Sequence, residues 1–371
     1  MHNVCKLHNE DGGAPPRRVL LLCGGRSDEH QVSLESARSV MDALGSDVAG
    51  PNGGRVSVVP MVITRDGAVV DADESRRLLA PTGSRGGTTS GELASRAAST
   101  VNDALLLAFH TGGFDVVFPL LHGPYGEDGS VQGLLKVMGV PFVGTDVLGS
   151  AVGMDKLAMK AVFAANGLPQ VRHVGVNRHA FARDRAGVLA GLEELGLPLF
   201  VKPANLGSSI GITKVVDAAD LASAIDVALR FDRRVVVEEA ANGARELEVA
   251  VLGNDRPATS VVGEIRYQAG FYDYTAKYTD GQAELLIPAD VPAEVGSAAR
   301  ALALQAFAAI DAAGLARVDL FYLPDGRLLV NEINTMPGFT RHSMYPKLWE
   351  ASGLPYPDLV TRLVDLALES R

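Results

Sequence analysis

Asp319, Glu332 and Asn334 are oxygen-bearing side chains spaced so that one face of a β-hairpin could gather them. Asp319 and Glu332 sit in two mostly apolar runs, residues 318–323 and 328–333, with Asn334 directly after the second, on either side of Pro324-Asp325-Gly326, where proline presets φ and glycine accepts a positive φ. A period of two projects Glu332 and Asn334 from the same face. A four-residue loop from Pro324 to Arg327 sets Asp319 opposite Glu332, whereas a three-residue loop pairs Asp319 with Asn331 and sends Glu332 to the other side. In the first register two carboxylates and an amide oxygen converge. That donor set suits Mg²⁺, a hard cation that keeps waters and shares its remaining positions with phosphates. The plain alternative is a hairpin with solvated acids, because carboxylates are mostly surface groups. Against it stand the neighbouring Arg317 and the turn Thr335-Met336-Pro337-Gly338, whose backbone N–H groups are expected to be free to face an anion.

Other stretches carry compatible chemistry. Lys202 closes a strand-like run and precedes Gly207-Ser208-Ser209, the pattern of a hairpin that covers phosphates; it is not a Walker A loop, since no Gly-Lys-Ser/Thr opens a helix. Glu238 and Glu239 end a strand where it joins a linker, a place that can offer an acceptor and backbone groups to a purine or simply serve as a hinge. A glycine-rich loop, His122 to Gly129, follows the apolar run 115–121, and ligands of open α/β sheets bind beyond strand carboxyl ends. Gly24-Gly25-Arg26-Ser27 leads through Asp28 and Glu29 into a helix containing residues 31–44, without the Gly-x-Gly-x-x-Gly of a dinucleotide site. Each of these has an ordinary reading as a cap, a surface lysine or a plain turn.

The elements that must position these groups follow from the pattern. Strands are expected at 18–23, 56–64, 115–121, 141–143, 199–201, 235–237, 246–252 and 261–265, and helices at 131–138, 150–166, 295–313 and 356–370. Residues 1–17 read as a disordered lead-in, 80–100 as a variable loop or weak helix, and 266–284, with Lys277 and Tyr278, as a long aromatic and polar lid. At 371 residues and 47% hydrophobic, the chain holds two or three globular domains. A net charge of -10 argues against nucleic-acid partners. Two cysteines make no disulfide framework, and the sequence has neither an apolar run long enough for a membrane span nor a signal peptide, so a cytoplasmic protein is expected.

Four separated motifs resemble those of the ATP-grasp superfamily and, within it, the D-alanine:D-alanine ligases: residues 24–34, residues 122–129, Lys202-Pro203 with Gly207-Ser208-Ser209, and residues 331–335 with Pro337-Gly338. The similarity spans residues 19–366, and chance agreement at all four motifs is negligible. It implies an α/β and α+β chain with the ATP-grasp fold in three domains: an N-terminal open α/β domain over 18–144, a central domain over 145–240 and a C-terminal domain over 241–371. It further implies ATP-dependent joining of two D-alanines through an acyl phosphate for peptidoglycan synthesis, with two Mg²⁺ or Mn²⁺ ions, a monovalent cation as a further candidate, and a homodimer.

By the same resemblance Asp319, Glu332 and Asn334 hold the metals; Lys156, Lys202 and Lys277 hold phosphates; and Glu238, the Ala241 backbone and Glu246 surround adenine and ribose. Glu29 pairs with the ammonium of the first D-alanine, Arg317 and the Gly338 N–H stabilise an oxyanion, and His122, Ser343 and the Met344 backbone place the second D-alanine. Glu29, Ser208 and Tyr278 form a hydrogen-bonded triad, and a tyrosine at 278 favours D-alanine over D-lactate or D-serine. Glu239-Ala240 departs from the family's usual adenine-side segment. Another ATP-grasp carboxylate–amine ligase and a non-catalytic nucleotide-binding protein are the competing readings.

Overall fold

Residues 17–44, 56–80, 113–267 and 283–369 are described by the computed structural model of the chain. The unbroken apolar run Val19 to Cys23 becomes the buried centre of a parallel sheet, where both faces of a strand must be covered. That sheet joins β1 (Arg17–Gly24), β2 (Val56–Ile63) and β3 (Val116–Leu120) in the order β2-β1-β3. Helix His30–Leu44 covers one face through Leu34, Ala37 and Val40, and the final helix, Tyr356–Leu368, packs into the same core. The final helix therefore returns to the N-terminal layer.

A second sheet, antiparallel throughout, has the order β4-β7-β5-β6, with β4 (His173–Asn177), β5 (Leu199–Pro203), β6 (Thr213–Val215) and β7 (Arg234–Glu239). The third, also antiparallel, has the order β10-β9-β8-β11-β12. Its members are β8 (Arg245–Gly253), β9 (Ala258–Tyr267), β10 (Ala283–Leu286), β11 (Gly314–Tyr322) and β12 (Leu328–Asn334). Helix Ala293–Ala309 buries Ala299, Ala303 and Phe307, four residues apart, against Val249, Val318, Val330 and Ile333 of this sheet.

Several local expectations change. The single helix at 150–166 is two, Val147–Met154 and Lys156–Ala165, broken at Asp155, whose side chain caps the second by accepting from the Leu157 and Ala158 N–H groups. Residues 141–143 supply one parallel bridge, Val117 with Phe142, instead of a strand. Arg266, Tyr267, Ala283 and Glu284 belong to β9 and β10, with Ala283 paired to Tyr267. The rest of the expected lid, with Lys277 and Tyr278, lies outside the described residues, as do 1–16 and 81–100. No helix among the described residues is long and apolar enough to cross a membrane.

Candidate active site

The turn of the β11–β12 hairpin is short. Leu323 N–H donates to Arg327 O at 2.9 Å and Gly326 N–H to Leu323 O at 3.0 Å, so three residues, Pro324 to Gly326, make the loop, not the expected four. The regular ladder through Tyr322/Leu328 and Leu320/Val330 would then set Asn331 against Asp319. A β-bulge intervenes between Leu320 and Asp319, and beyond it Asp319 pairs with Glu332 and Arg317 with Asn334. Asn331 is the extra residue. Val330 and Ile333 both enter the core while Asn331, Glu332 and Asn334 line the cavity, so the bulge returns Glu332 to the face of Asp319.

On that face the charges are tightly paired. Arg317 donates from Nε and Nη2 to the two oxygens of Asp319, each at 2.7 Å, and its Nε lies 3.0 Å from Glu248 Oε2. Burial alone would lower the Arg317 pKa, but Asp319 and Glu248 hold it well above the ordinary value. Asn334 Nδ2 donates to Asp319 Oδ2 at 3.1 Å, and Lys156 Nζ stands 3.8 Å from Glu332 Oε2 while donating to Leu206 O at 2.6 Å. Among the described residues no three His, Cys, Asp or Glu side chains form a metal cage. Two carboxylates and one amide are a sparse set, and it fits a hard divalent cation that takes its other ligands from water and phosphate.

Facing the hairpin across a cavity of about 600 Å³ are groups of the second sheet. Lys202 on β5 donates to Glu238 Oε2 on β7 at 2.7 Å; Lys156, Ser208, Ala241 and Glu246 also line the space. Burial raises the Glu238 pKa, but Lys202 and Lys160 pull it the other way, down to about 2. Lys202 is affected oppositely: burial lowers it, and Glu238 carries it above its usual value. Both groups are thus charged.

Beyond the cavity the loops of the N-terminal layer approach. Ser208 Oγ donates to Glu29 Oε1, bringing together two of the three groups expected as a triad. Ser208 and Ser209 hold φ of 51° and 58°, a left-handed conformation that costs non-glycine residues roughly 1–2 kcal/mol each. Gly123 is also left-handed, at φ 71°, and a Cβ there would lie 2.8 Å from Glu29 Oε2. His122 is buried: its Nδ1–H donates to Met336 O at 3.1 Å, and Nε2 faces Ser36 Oγ at 3.4 Å. Burial lowers its pKa and so favours the neutral ring, against an opposing pull from Glu29. Gly338 adjoins Ser343, since a Cβ at 338 would come within 3.2 Å of Ser343 Oγ. That hydroxyl accepts from Thr340 N–H at 3.1 Å, and Met344 opens helix Met344–Ala351, whose first-turn N–H groups no intrahelical carbonyl can reach.

One expectation for the Thr335-to-Gly338 turn is corrected. The Met336 N–H is not turned to a ligand, because it donates to Glu127 Oε1 at 3.3 Å, and the other oxygen of Glu127 accepts from Gly123 N–H at 2.6 Å. Glu127 went unsingled within its motif. Burial, followed by the charge of Glu29, pushes its pKa up to about 8. Sequence spacing gave no sign of this, because the perturbing groups come from distant segments. Glu248 was more accessible: it stands two residues from Glu246 on β8 and cross-strand from Asp319, so period-two alternation puts it on the same face.

Comparison with known proteins agrees with this architecture. A family model described as the D-ala D-ala ligase N-terminus matches residues 18–145, and one described as the D-ala D-ala ligase C-terminus matches residues 162–365. The chain belongs to the D-alanine–D-alanine ligase family. It is 50% identical over 357 residues to the D-alanine–D-alanine ligase of Deinococcus radiodurans, covering 96% of this chain and 99% of that one. The ligase of the same name from Geobacillus thermodenitrificans is 46% identical over 361 residues, covering 95% of each. Among solved structures, the VanG D-Ala:D-Ser ligase of Enterococcus faecalis superposes with a TM-score of 0.76 at 32% identity, over 95% of this chain and all of that one. The D-alanine-D-alanine ligase of Coxiella burnetii gives the same TM-score and identity, covering 96% of this chain and 95% of its own. This member of the family thus has the ATP-grasp fold.

Proposed function

We propose that this ligase joins two D-alanines to D-alanyl-D-alanine at the expense of ATP, through an acyl phosphate, for peptidoglycan synthesis. The observation that carries the reading is the hairpin face: Arg317, Asp319, Glu332 and Asn334 share one side of a cavity whose other wall presents Lys202 and Glu238. A carboxylate is a poor acyl donor. Attack of one D-alanine carboxylate oxygen on the γ-phosphorus breaks the bond to ADP and creates a leaving group. The second amine, after losing a proton, then attacks the acyl carbon and expels phosphate.

The chain's groups divide this work. Lys156 and Lys202 bind phosphate oxygens, Lys277 is placed with them by its position in the family motif, and Glu238, Ala241 and Glu246 bind the nucleoside. Asp319, Glu332 and Asn334 would hold one or two divalent cations, Mg²⁺ or Mn²⁺, which neutralise charge on the transferred phosphoryl group when bound. Glu29 orients the ammonium of the first D-alanine and is itself fixed by Ser208; Tyr278 completes that triad by resemblance. Arg317 and the Gly338 N–H stabilise the oxyanion, and Ser343, with the Met344 N–H, receives the carboxylate of the second D-alanine. His122, neutral and held by Met336 O and Ser36, orients that end of the site.

Product analysis with ATP, Mg²⁺ and D-alanine is the direct test, with D-alanyl-D-alanine and ADP expected. Exclusive D-alanyl-D-serine formation from mixed amino acids would instead favour a ligase like VanG, which has this same fold. Absence of ADP formation would leave a nucleotide-binding protein. A cytoplasmic homodimer through the N-terminal layer completes the reading: Leu134, Val137 and Leu148 are exposed on the contacting helices Ser130–Val137 and Val147–Met154, and sedimentation velocity would report the dimer.

A further inference from the structure

Behind the nucleotide wall of the cavity, helix Lys156–Ala165 buries a second lysine. Lys160 is 1% exposed and does not line the cavity. Its ionic partner among the described residues is Glu238, whose Oε1 lies 3.1 Å from Lys160 Nζ. Glu238 is also buried, and its Oε2 takes the ammonium of Lys202 at 2.7 Å. One carboxylate therefore sits between two ammonium groups. Enclosing an ammonium costs several kcal/mol unless it is paired, and Lys202 alone would neutralise Glu238, so the second cation is surplus to the ligand-free arrangement.

The surplus has a use once phosphates arrive. Lys202 lines the cavity and its side chain is 12% exposed, so it can exchange Glu238 for a phosphate oxygen. Lys160 cannot follow. Its side chain stays behind the wall, on a helix whose Met159 and Phe163 are locked into the core of the third sheet. We propose that Lys160 is a positioning residue that keeps Glu238 ionised and aimed at the purine when Lys202 is drawn to the triphosphate. The inference rests on the reading that places the adenine amine at Glu238.

The chemistry sets the selectivity. An ionised carboxylate only accepts hydrogen bonds, so it takes a 6-amino group and rejects a 6-oxo group; a protonated carboxyl can donate and accommodates either. Lys160 thus maintains the preference for ATP over inosine triphosphate from outside the cavity.

The test measures kcat, KM for ATP, and the ratio of kcat/KM for ATP to that for inosine triphosphate, in the full-length protein and three variants. Lys160→Met is expected to raise the KM for ATP roughly tenfold, change kcat less than about threefold and lower the ratio. Lys202→Met is expected to raise the KM for ATP while keeping the ratio, because Lys160 still holds Glu238. Glu238→Gln lowers the ratio if the purine lies where the reading puts it. A Glu238→Gln variant with the wild-type ratio overturns that placement and this inference together. If Glu238→Gln lowers the ratio, the inference alone is overturned by a wild-type KM and ratio in Lys160→Met, or by a ratio that collapses in Lys202→Met. Should Lys160→Met fail to fold, Lys202→Met decides, since a retained ratio there supports Lys160 as the group that holds Glu238.

Discussion

Replacing Glu127 with glutamine tests how the N-terminal loop and the Met336 turn are joined. Glu127 bridges two backbone N–H groups from different layers, so the introduced side-chain amide would confront one of them with a donor, costing about 1–3 kcal/mol at any pH. A second effect depends on pH. Burial and the nearby Glu29 raise the pKa of Glu127 from 4.5 to about 8, so the folded state binds this proton more tightly than the unfolded chain. The stabilisation is present below pH 4.5 and is lost as pH rises through 8. At about 1.36 kcal/mol per pH unit, the wild type loses on the order of 3–4 kcal/mol relative to the glutamine variant between pH 5 and 8. For a chain of this length that corresponds to roughly 4–5 °C in the melting midpoint. Thermal melts of both proteins without ligands, from pH 5 to 9, should show the wild type ahead at low pH, the gap closing below pH 8 and the variant ahead above that point. Glu29→Gln should shrink this loss and make it level off at lower pH, since removing a like charge lowers the folded-state pKa of Glu127. Parallel melting curves at all pH values would refute the reasoning.

Arg317→Met leaves Asp319 and Glu248 partly enclosed without their cation; a loss of about 3–5 kcal/mol in stability is expected from calorimetry, together with a rate loss of at least roughly 10²-fold in phosphate release. Adding Glu248→Gln should recover part of the stability and none of the rate. Deleting Asn331 removes the bulge yet leaves Asp319 opposite Glu332 in a regular ladder, so the variant is expected to fold with an intact circular dichroism spectrum. An unfolded deletion variant would contradict the register assigned to this hairpin.

Much of the site is legible in the sequence, and the hairpin shows where that legibility ends. Proline, aspartate and glycine between two apolar runs mark the turn, and alternation marks the shared face of Glu332 and Asn334. In a regular ladder loop length and face determine each other, so a short loop separates Glu332 from Asp319. The bulge at Asn331 broke that link, because an extra residue shifts every later side chain by one position without altering the turn. The break at Asp155 was similarly hidden, since an aspartate within a helical pattern becomes a cap only when the flanking segments diverge.

The sequence by itself determined the groups of the reaction and the elements that carry them: cations and carboxylates at strand ends, glycines where backbone and Glu29 come close, and apolar periods that select strand or helix. Those are local properties, set by side-chain chemistry and backbone sterics. Tertiary structure alone decided that Glu127 holds a proton near neutrality, that Glu238 lies between two lysines, and that the last helix packs against the first. Charge state and pairing depend on distance and burial, and these arise only when segments well separated along the chain exclude water from a common space.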